Sequence, residues 1–84
     1  MKIDLGCGPN KREGFLGCDQ YAFDGKVDKV FNIGEEKWPF ADGEVEEAHA
    51  SHFVEHLNQK QRCHFVNELY RVLQKGGKCS VIVP

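Results

Sequence analysis

The sequence predicts an α/β domain on a mainly parallel sheet, and three of its features carry that expectation. Short apolar runs in the first half are each stopped by glycine or an acidic residue, as strands feeding loops are. Residues 58–74 switch to a helical period, and residues 78–83 return to strand character after Gly76-Gly77. Strand, helix, Gly-Gly and strand in that order form a βαβ unit, whose strands are parallel and whose crossover is right-handed.

Residues 1–5 form the first predicted strand, ended by Gly6-Cys7-Gly8-Pro9-Asn10, and residues 15–19 form the second, ending in Asp19. Only residues 6–14 join the two. That is shorter than the dozen or so residues of a helical crossover, so a loop with little more than one helical turn is expected. Residues 27–33 make a third strand, with Val27, Val30, Phe31 and Ile33 apolar, and residues 45–51 a fourth of weak hydrophobicity. Between them, Trp38-Pro39-Phe40 followed by Ala41-Asp42-Gly43 is a loop whose two aromatics are expected to seal the sheet.

The helix opens at Asn58 with Gln61 as its capping-box partner, and places Phe65, Leu69, Val72 and Leu73 on one face, widened by Val66 and Tyr70. Arg71 and Lys75 suit the negative end of its macrodipole, and Gly76-Gly77 is expected to supply the left-handed stop. Val81, Ile82 and Val83 are consecutive, as in a strand covered on both faces. Phe53, Phe65 and Tyr70 are expected in the core.

The chain has 84 residues, with 11 Lys and Arg against 13 Asp and Glu, and a net charge of −2. A chain of this size buries only about 60% of the surface its unfolded form exposes, so one small domain is the limit. No basic cluster exceeds Lys11-Arg12, which argues against sequence-independent nucleic-acid binding or attachment to an anionic membrane. No apolar run approaches the roughly 18 residues of a spanning helix, and a cytoplasmic protein is expected. Cys7, Cys18, Cys63 and Cys79 contain no Cys-x-x-Cys pair, and each adjoins an apolar segment; all four are expected to be buried thiols.

The densest candidate chemistry is the turn Ile3-Asp4-Leu5-Gly6-Cys7-Gly8 together with Asp19 at the tip of the next strand. Glycines there let a ligand approach the backbone and offer it exposed amide groups, and an acid at the adjacent tip can accept hydrogen bonds from vicinal ribose hydroxyls. A dinucleotide fingerprint fits poorly. Its third glycine would fall at Lys11, and Asp19 follows Asp4 by 15 residues rather than the roughly 20 that a full helix would insert.

Four ordered segments carry a more specific likeness: Ile3-Asp4-Leu5-Gly6-Cys7-Gly8-Pro9; Gly17-Cys18-Asp19; Trp38-Pro39-Phe40-Ala41-Asp42 running into Ala50-Ser51-His52-Phe53-Val54-Glu55-His56-Leu57; and Glu68-Leu69-Tyr70-Arg71-Val72-Leu73 with Gly76-Gly77. Over nearly the whole chain they resemble the class I S-adenosylmethionine-dependent methyltransferases of the methyltransferase type 11 branch. The resemblance implies a Rossmann-like sheet in the order 3-2-1-4-5, with S-adenosyl-L-methionine across the carboxyl ends of the first strands. It implies Gly6, Cys7 and Gly8 against the methionine portion, Asp4 toward its amino group and Asp19 on the ribose hydroxyls. Asn32, where many relatives carry Asp, and Ile33 would read the adenine, while Ser51 and His52 would face the methyl group. His52 would be the catalytic base if the methyl acceptor must lose a proton, with Glu55 or His56 in second place. The acceptor is not identified by any of these residues.

In the resembled family the sheet continues past a fifth strand. Residues 1–84 therefore read as a single, partial domain, incomplete on the C-terminal side, with Val81, Ile82 and Val83 on an open edge through which it could form a homodimer. The alternative function is a non-catalytic truncated module that at most binds the cofactor. A remote alternative is a zinc peptidase, because His52-Phe53-Val54-Glu55-His56 matches the inverted zincin pattern, with two histidines on one helical face and a water-activating glutamate. A catalytic zinc needs a third protein ligand, and only 28 residues follow His56. His49 and His64 are expected to be surface or partly packed residues.

Overall fold

Five strands of the computed structural model, which describes residues 1–83, form one sheet in which every pairing is parallel. They are β1 (Lys2–Leu5), β2 (Leu16–Asp19), β3 (Lys29–Val30), β4 (Val45–Ser51) and β5 (Leu73–Ile82), in the spatial order β3-β2-β1-β4-β5. A 3-10 turn at Val54–His56 leads into the helix α1 (Gln59–Val72), which crosses from β4 to β5. The α/β class, the parallel pairing and the strand order are those expected. No helix among the described residues is long and apolar enough to cross a membrane.

β1 is central because it can be buried on both sides: Ile3 pairs with Leu16 of β2 and with Ala48 of β4, and Ile3, Asp4 and Leu5 are all buried. One face of the sheet is closed by α1. The cap reads as expected, with the Asn58 side chain accepting from the Gln61 amide at 2.9 Å and the Gln61 side chain accepting from the Asn58 amide at 2.9 Å. Phe65 and Val72 then join Ile3, Leu5, Cys18, Val45, Ala48 and Ala50 in the core.

Trp38 and Phe40 seal this face as expected, at 1% and 6% exposure. Their loop hangs from the helix by a half-buried ion pair. Glu68 Oε1 accepts from the Trp38 amide at 2.7 Å, and the Arg71 guanidinium holds both carboxylate oxygens at 2.9 Å. Arg71 also donates to the carbonyls of Phe40 at 2.8 Å and Trp38 at 3.0 Å, and to the Asp42 carboxylate at 2.9 Å. The Arg71 hydrogen bonds, helped by the Trp38 amide and opposed by burial, hold the Glu68 carboxyl below its ordinary value of 4.5.

The opposite face is closed by the short connection from β1 to β2, which contains no helix. Phe15 is buried edge-on to His49, with ring centroids 6.3 Å apart. Lys11 pairs with Asp28 at 2.7 Å, and the same Asp28 oxygen accepts from the Gly17 amide at 2.7 Å, so the loop is tied across β2 to the segment before β3.

Several expectations need correction. The third strand pairs only over Lys29–Val30, although Val27, Phe31 and Ile33 are buried around it. The apolar stripe of α1 is narrower than expected: Val66 is 60% and Tyr70 87% exposed, because these positions turn away from the single sheet face that Phe65 and Val72 meet. The helix ends at Val72 with Leu73 extended as its cap, so Gly76-Gly77 is no helix terminator. Instead the pairing of β4 with β5 skips from Leu73 to Lys78 while β4 advances from Val45 to Glu47, and Gly76 takes φ +81° in the resulting bulge. His49, expected at the surface or partly packed, is buried.

The cysteines also divide. Cys18 is buried and Cys7 half-buried, whereas Cys63 and Cys79 are exposed. Burial, reinforced by Asp4 and Asp19, pushes the Cys7 thiol up to about 11, and burial pushes Cys18 up to about 12. Both therefore stay protonated far above neutral pH. Iodoacetamide at pH 8 is expected to alkylate Cys63 well before Cys7 or Cys18, the latter two reacting only when the chain is unfolded, as peptide mass mapping can show. Glu68→Ala is expected to destabilise the fold by about 2–4 kcal/mol in urea unfolding, leaving the Trp38 amide and the Arg71 guanidinium without their shared partner. Because the folded Glu68 value lies below the unfolded one, its contribution is complete above pH 4.5 and fades as the pH falls through the folded value. The urea midpoint of the natural chain should show that acid loss, and Glu68→Gln should remove this component of it.

Candidate functional site

Parallel strands bring the ends of β1, β2 and β4 to one edge of the sheet, where the residues following each strand face a common cleft. The glycine turn after β1 is folded against β2. The amides of Gly6 and Cys7 both donate to the Cys18 carbonyl, at 2.8 and 3.2 Å, and the Gly8 amide donates to Asp19 Oδ2 at 2.9 Å. The turn amides are therefore engaged within the protein, which corrects the expectation that they stand exposed for a ligand. Gly6 and Gly8 both have positive φ, +70° and +62°, a conformation that disfavours a side chain. Gly6 is needed for a second reason: a Cβ there would lie 2.4 Å from the Phe53 ring, which rests on the glycine. A Cβ on Gly8 would meet nothing within 4 Å, so that side of the turn is open.

Two hollows flank this contact. One, of about 130 Å³, lies among Gln20, Asn32, Ile33, Gly34, Phe53 and Leu57. The other, of about 370 Å³, lies among Asp4, Gly6, Cys7, Arg12, His49 and Ser51. Phe53 borders the first, Gly6 borders the second, and the two residues touch, so their contact is the wall between the hollows.

The structure thus gathers Asp4, Gly6, Cys7 and Ser51 around one hollow and Asn32 and Ile33 around the other. Asp4 is buried, with Oδ2 accepting from the Arg12 amide at 2.8 Å. Asp19 precedes Gln20 and accepts three amides, those of Gly8 at 2.9 Å, Gln20 at 2.7 Å and Tyr21 at 3.3 Å. Asn32 accepts from the Gly34 amide at 3.2 Å and donates to Glu35 at 3.1 Å, while the Ile33 carbonyl accepts from the Trp38 indole at 2.9 Å. His52 borders neither hollow. It is exposed at the tip of β4 with φ +54°, its amide donating to the Ile82 carbonyl at 2.7 Å and its Nδ1 lying 3.7 Å from Glu55.

The zinc arrangement fails on local geometry. His52 precedes the turn, and Val54–His56 is a 3-10 turn rather than α-helix, so the face that would align two histidines four apart is not formed. Among the described residues, no group of three His, Cys, Asp or Glu side chains gathers to hold a metal. Sequence reasoning missed Arg12 and the position of Phe53 between the hollows. Arg12 carries no signal beyond adjacency to Lys11, and Phe53 reads simply as a core aromatic. If the Phe53 ring requires Gly6 beneath it, Gly6→Ala should cost about 1–3 kcal/mol in urea unfolding, and a double-mutant cycle with Phe53→Ala should show strong coupling between the two.

Comparison with known protein families matches the one described as "Methyltransferase domain" to residues 3–81, from within β1 to one residue short of the end of β5. No curated protein and no solved structure matches the chain significantly. The matched span holds the parallel sheet but for the first residue of β1 and the last of β5, with both hollows at its edge, and it shows that the chain belongs to the methyltransferase domain family.

Proposed function

We propose that this chain is the cofactor-binding part of a cytoplasmic enzyme that transfers a methyl group from S-adenosyl-L-methionine to an acceptor. The observation that carries this reading is the pair of hollows divided at Gly6 and Phe53, with the Asp19 carboxylate beside the glycine turn. A nucleoside joined to an amino-acid tail calls for such a divided cleft. The open side of Gly8 gives the backbone approach that such a molecule needs. A hollow of about 130 Å³ is below the roughly 300–1,000 Å³ of typical ligand sites, so the two hollows act as one cleft only when Phe53 yields.

The cofactor, when bound, supplies a methyl group activated by a sulfonium. The chain's own residues bind and orient. Asn32 and Ile33 border the place for the adenine. Asp19 has about four acceptor positions and already receives three amides, so two ribose hydroxyls displace at least one, the longest being that of Tyr21 at 3.3 Å. Asp4, Cys7 and Ser51 border the place for the tail. Transfer of this kind depends mainly on positioning and exclusion of water. His52, exposed at the β4 tip with Glu55 beside it, is the base for an acceptor that must lose a proton. The open edge of β5, where Val81 and Ile82 are 44% and 46% exposed, is the place for a second copy or a further strand.

Calorimetric titration with S-adenosylhomocysteine tests the reading. Saturable binding is expected, weakened about tenfold or more by Asp19→Ala in a variant shown by circular dichroism to be folded. Absence of saturable binding by the folded chain would overturn the reading, and unchanged affinity in the variant would remove Asp19 from the site.

A further inference from the structure

Charge is divided unevenly along the chain. Residues 1–58 hold six basic and twelve acidic residues, whereas residues 59–84 hold five basic residues and one acid. That acid, Glu68, is already taken by Arg71. Lys60, Arg62, Lys75 and Lys78 have no carboxylate within 4.0 Å among the described residues. Two of these cations, Arg62 and Lys75, lie at either end of an apolar line on the outward flank of α1. Arg62, Val66 and Tyr70 follow one another at intervals of four, which sets them along one side of the helix, and all three are exposed. Two shallow hollows border this line. One of about 400 Å³ includes Arg62 and Val66, and one of about 600 Å³ includes Tyr70, Leu73 and Lys75. No acidic residue lines either, and neither shares a residue with the hollows at the cleft.

We infer that the outward flank of α1 docks an acidic amphipathic helix of another protein. The partner's apolar side chains cover Val66, Tyr70 and Leu73, while its carboxylates meet Arg62 at one end and Lys75 at the other. Tyrosine and arginine are the residue types that carry most of the energy in such contacts. A second copy joined through the same flank fits poorly, because it brings the same cations and no acid, and like charges face each other. A nucleic acid answers the cations but offers the Val66 and Tyr70 line little apolar cover. The length of the partner segment follows from α1, whose 14 residues extend about 20 Å at 1.5 Å per residue, so a helix of about four turns spans the surface.

The probe is a helical peptide of about 16 residues with one leucine stripe flanked by glutamates, and its control carries lysines in place of the glutamates. Each is titrated calorimetrically into the chain, whose oligomeric state is first measured by sedimentation equilibrium. The natural chain is expected to bind the glutamate peptide and not the lysine peptide, less tightly at high salt. Val66→Asp should weaken binding about tenfold or more. Arg62→Glu combined with Lys75→Glu should reverse the preference, a result that a merely adhesive apolar patch cannot give. All three positions are exposed, and circular dichroism checks that each variant is folded. Equal binding of the two peptides, or binding of neither, would overturn the inference. So would self-association of the natural chain that Val66→Asp abolishes, since a second copy would then occupy the flank, or tighter binding of a short single-stranded RNA than of the glutamate peptide.

Discussion

The Glu68–Arg71 pair ties the loop before β4 to the helix after it, and the shape of the cleft follows from that tie. Arg71 holds the Trp38 and Phe40 carbonyls, and Glu68 holds the Trp38 amide, so the indole is driven into the core. From there Trp38 fixes the cleft by two routes. Its Nε1 donates to the carbonyl of Ile33, a wall of the smaller hollow. Its ring packs edge-on against Phe65 at 5.5 Å, and Phe65 packs against Phe53 at 6.2 Å, which in turn rests on Gly6. A bidentate ion pair at the far side of the core is thereby connected, through three aromatic rings, to the wall between the hollows.

The other face of the sheet solves a different problem. A connection of residues 6–15 is too short to lay a helix over β1 and β2, so cover comes from individual side chains. Phe15 packs on His49, Lys11 reaches across to Asp28, and Asp28 anchors the Gly17 amide. These contacts leave Arg12 at the rim beside Asp4, and they keep the glycine turn close to β2. The short connection thus shapes the larger hollow directly.

Much of the frame was legible in the sequence because it rests on local signals. The glycine-rich stop after β1, the Asn58–Gln61 cap and the Glu68-Leu69-Tyr70-Arg71 segment each determine something within a few residues of themselves. What escaped was decided by tertiary packing. Tyr70 fits a helical stripe, but a helix on a single sheet face buries only a narrow band, and Tyr70 lies outside it. Cys63 and Cys79 each lie two residues from an apolar one, Phe65 and Val81, and are still exposed, because nearness in sequence does not fix which way a side chain points. The turn amides at Gly6, Cys7 and Gly8 are drawn to Cys18 and Asp19 on the neighbouring strand, a pairing that spacing alone could not reveal. Asp4, Gly6, Cys7 and Ser51 around one hollow and Asn32 and Ile33 around the other were nameable from the resemblance, but Arg12 and the place of Phe53 were not.

The central claim is that the two hollows are halves of one cleft that meet at Gly6 and Phe53. Amide NMR of the isotope-labelled chain during titration with S-adenosylhomocysteine tests it most directly. The account predicts saturable shifts on both sides, at Gly34 and Leu57 and at Asn10 and Ser51, together with shifts at Gly6 and Phe53 between them. Shifts confined to one hollow, or none at all in a folded chain, would contradict it.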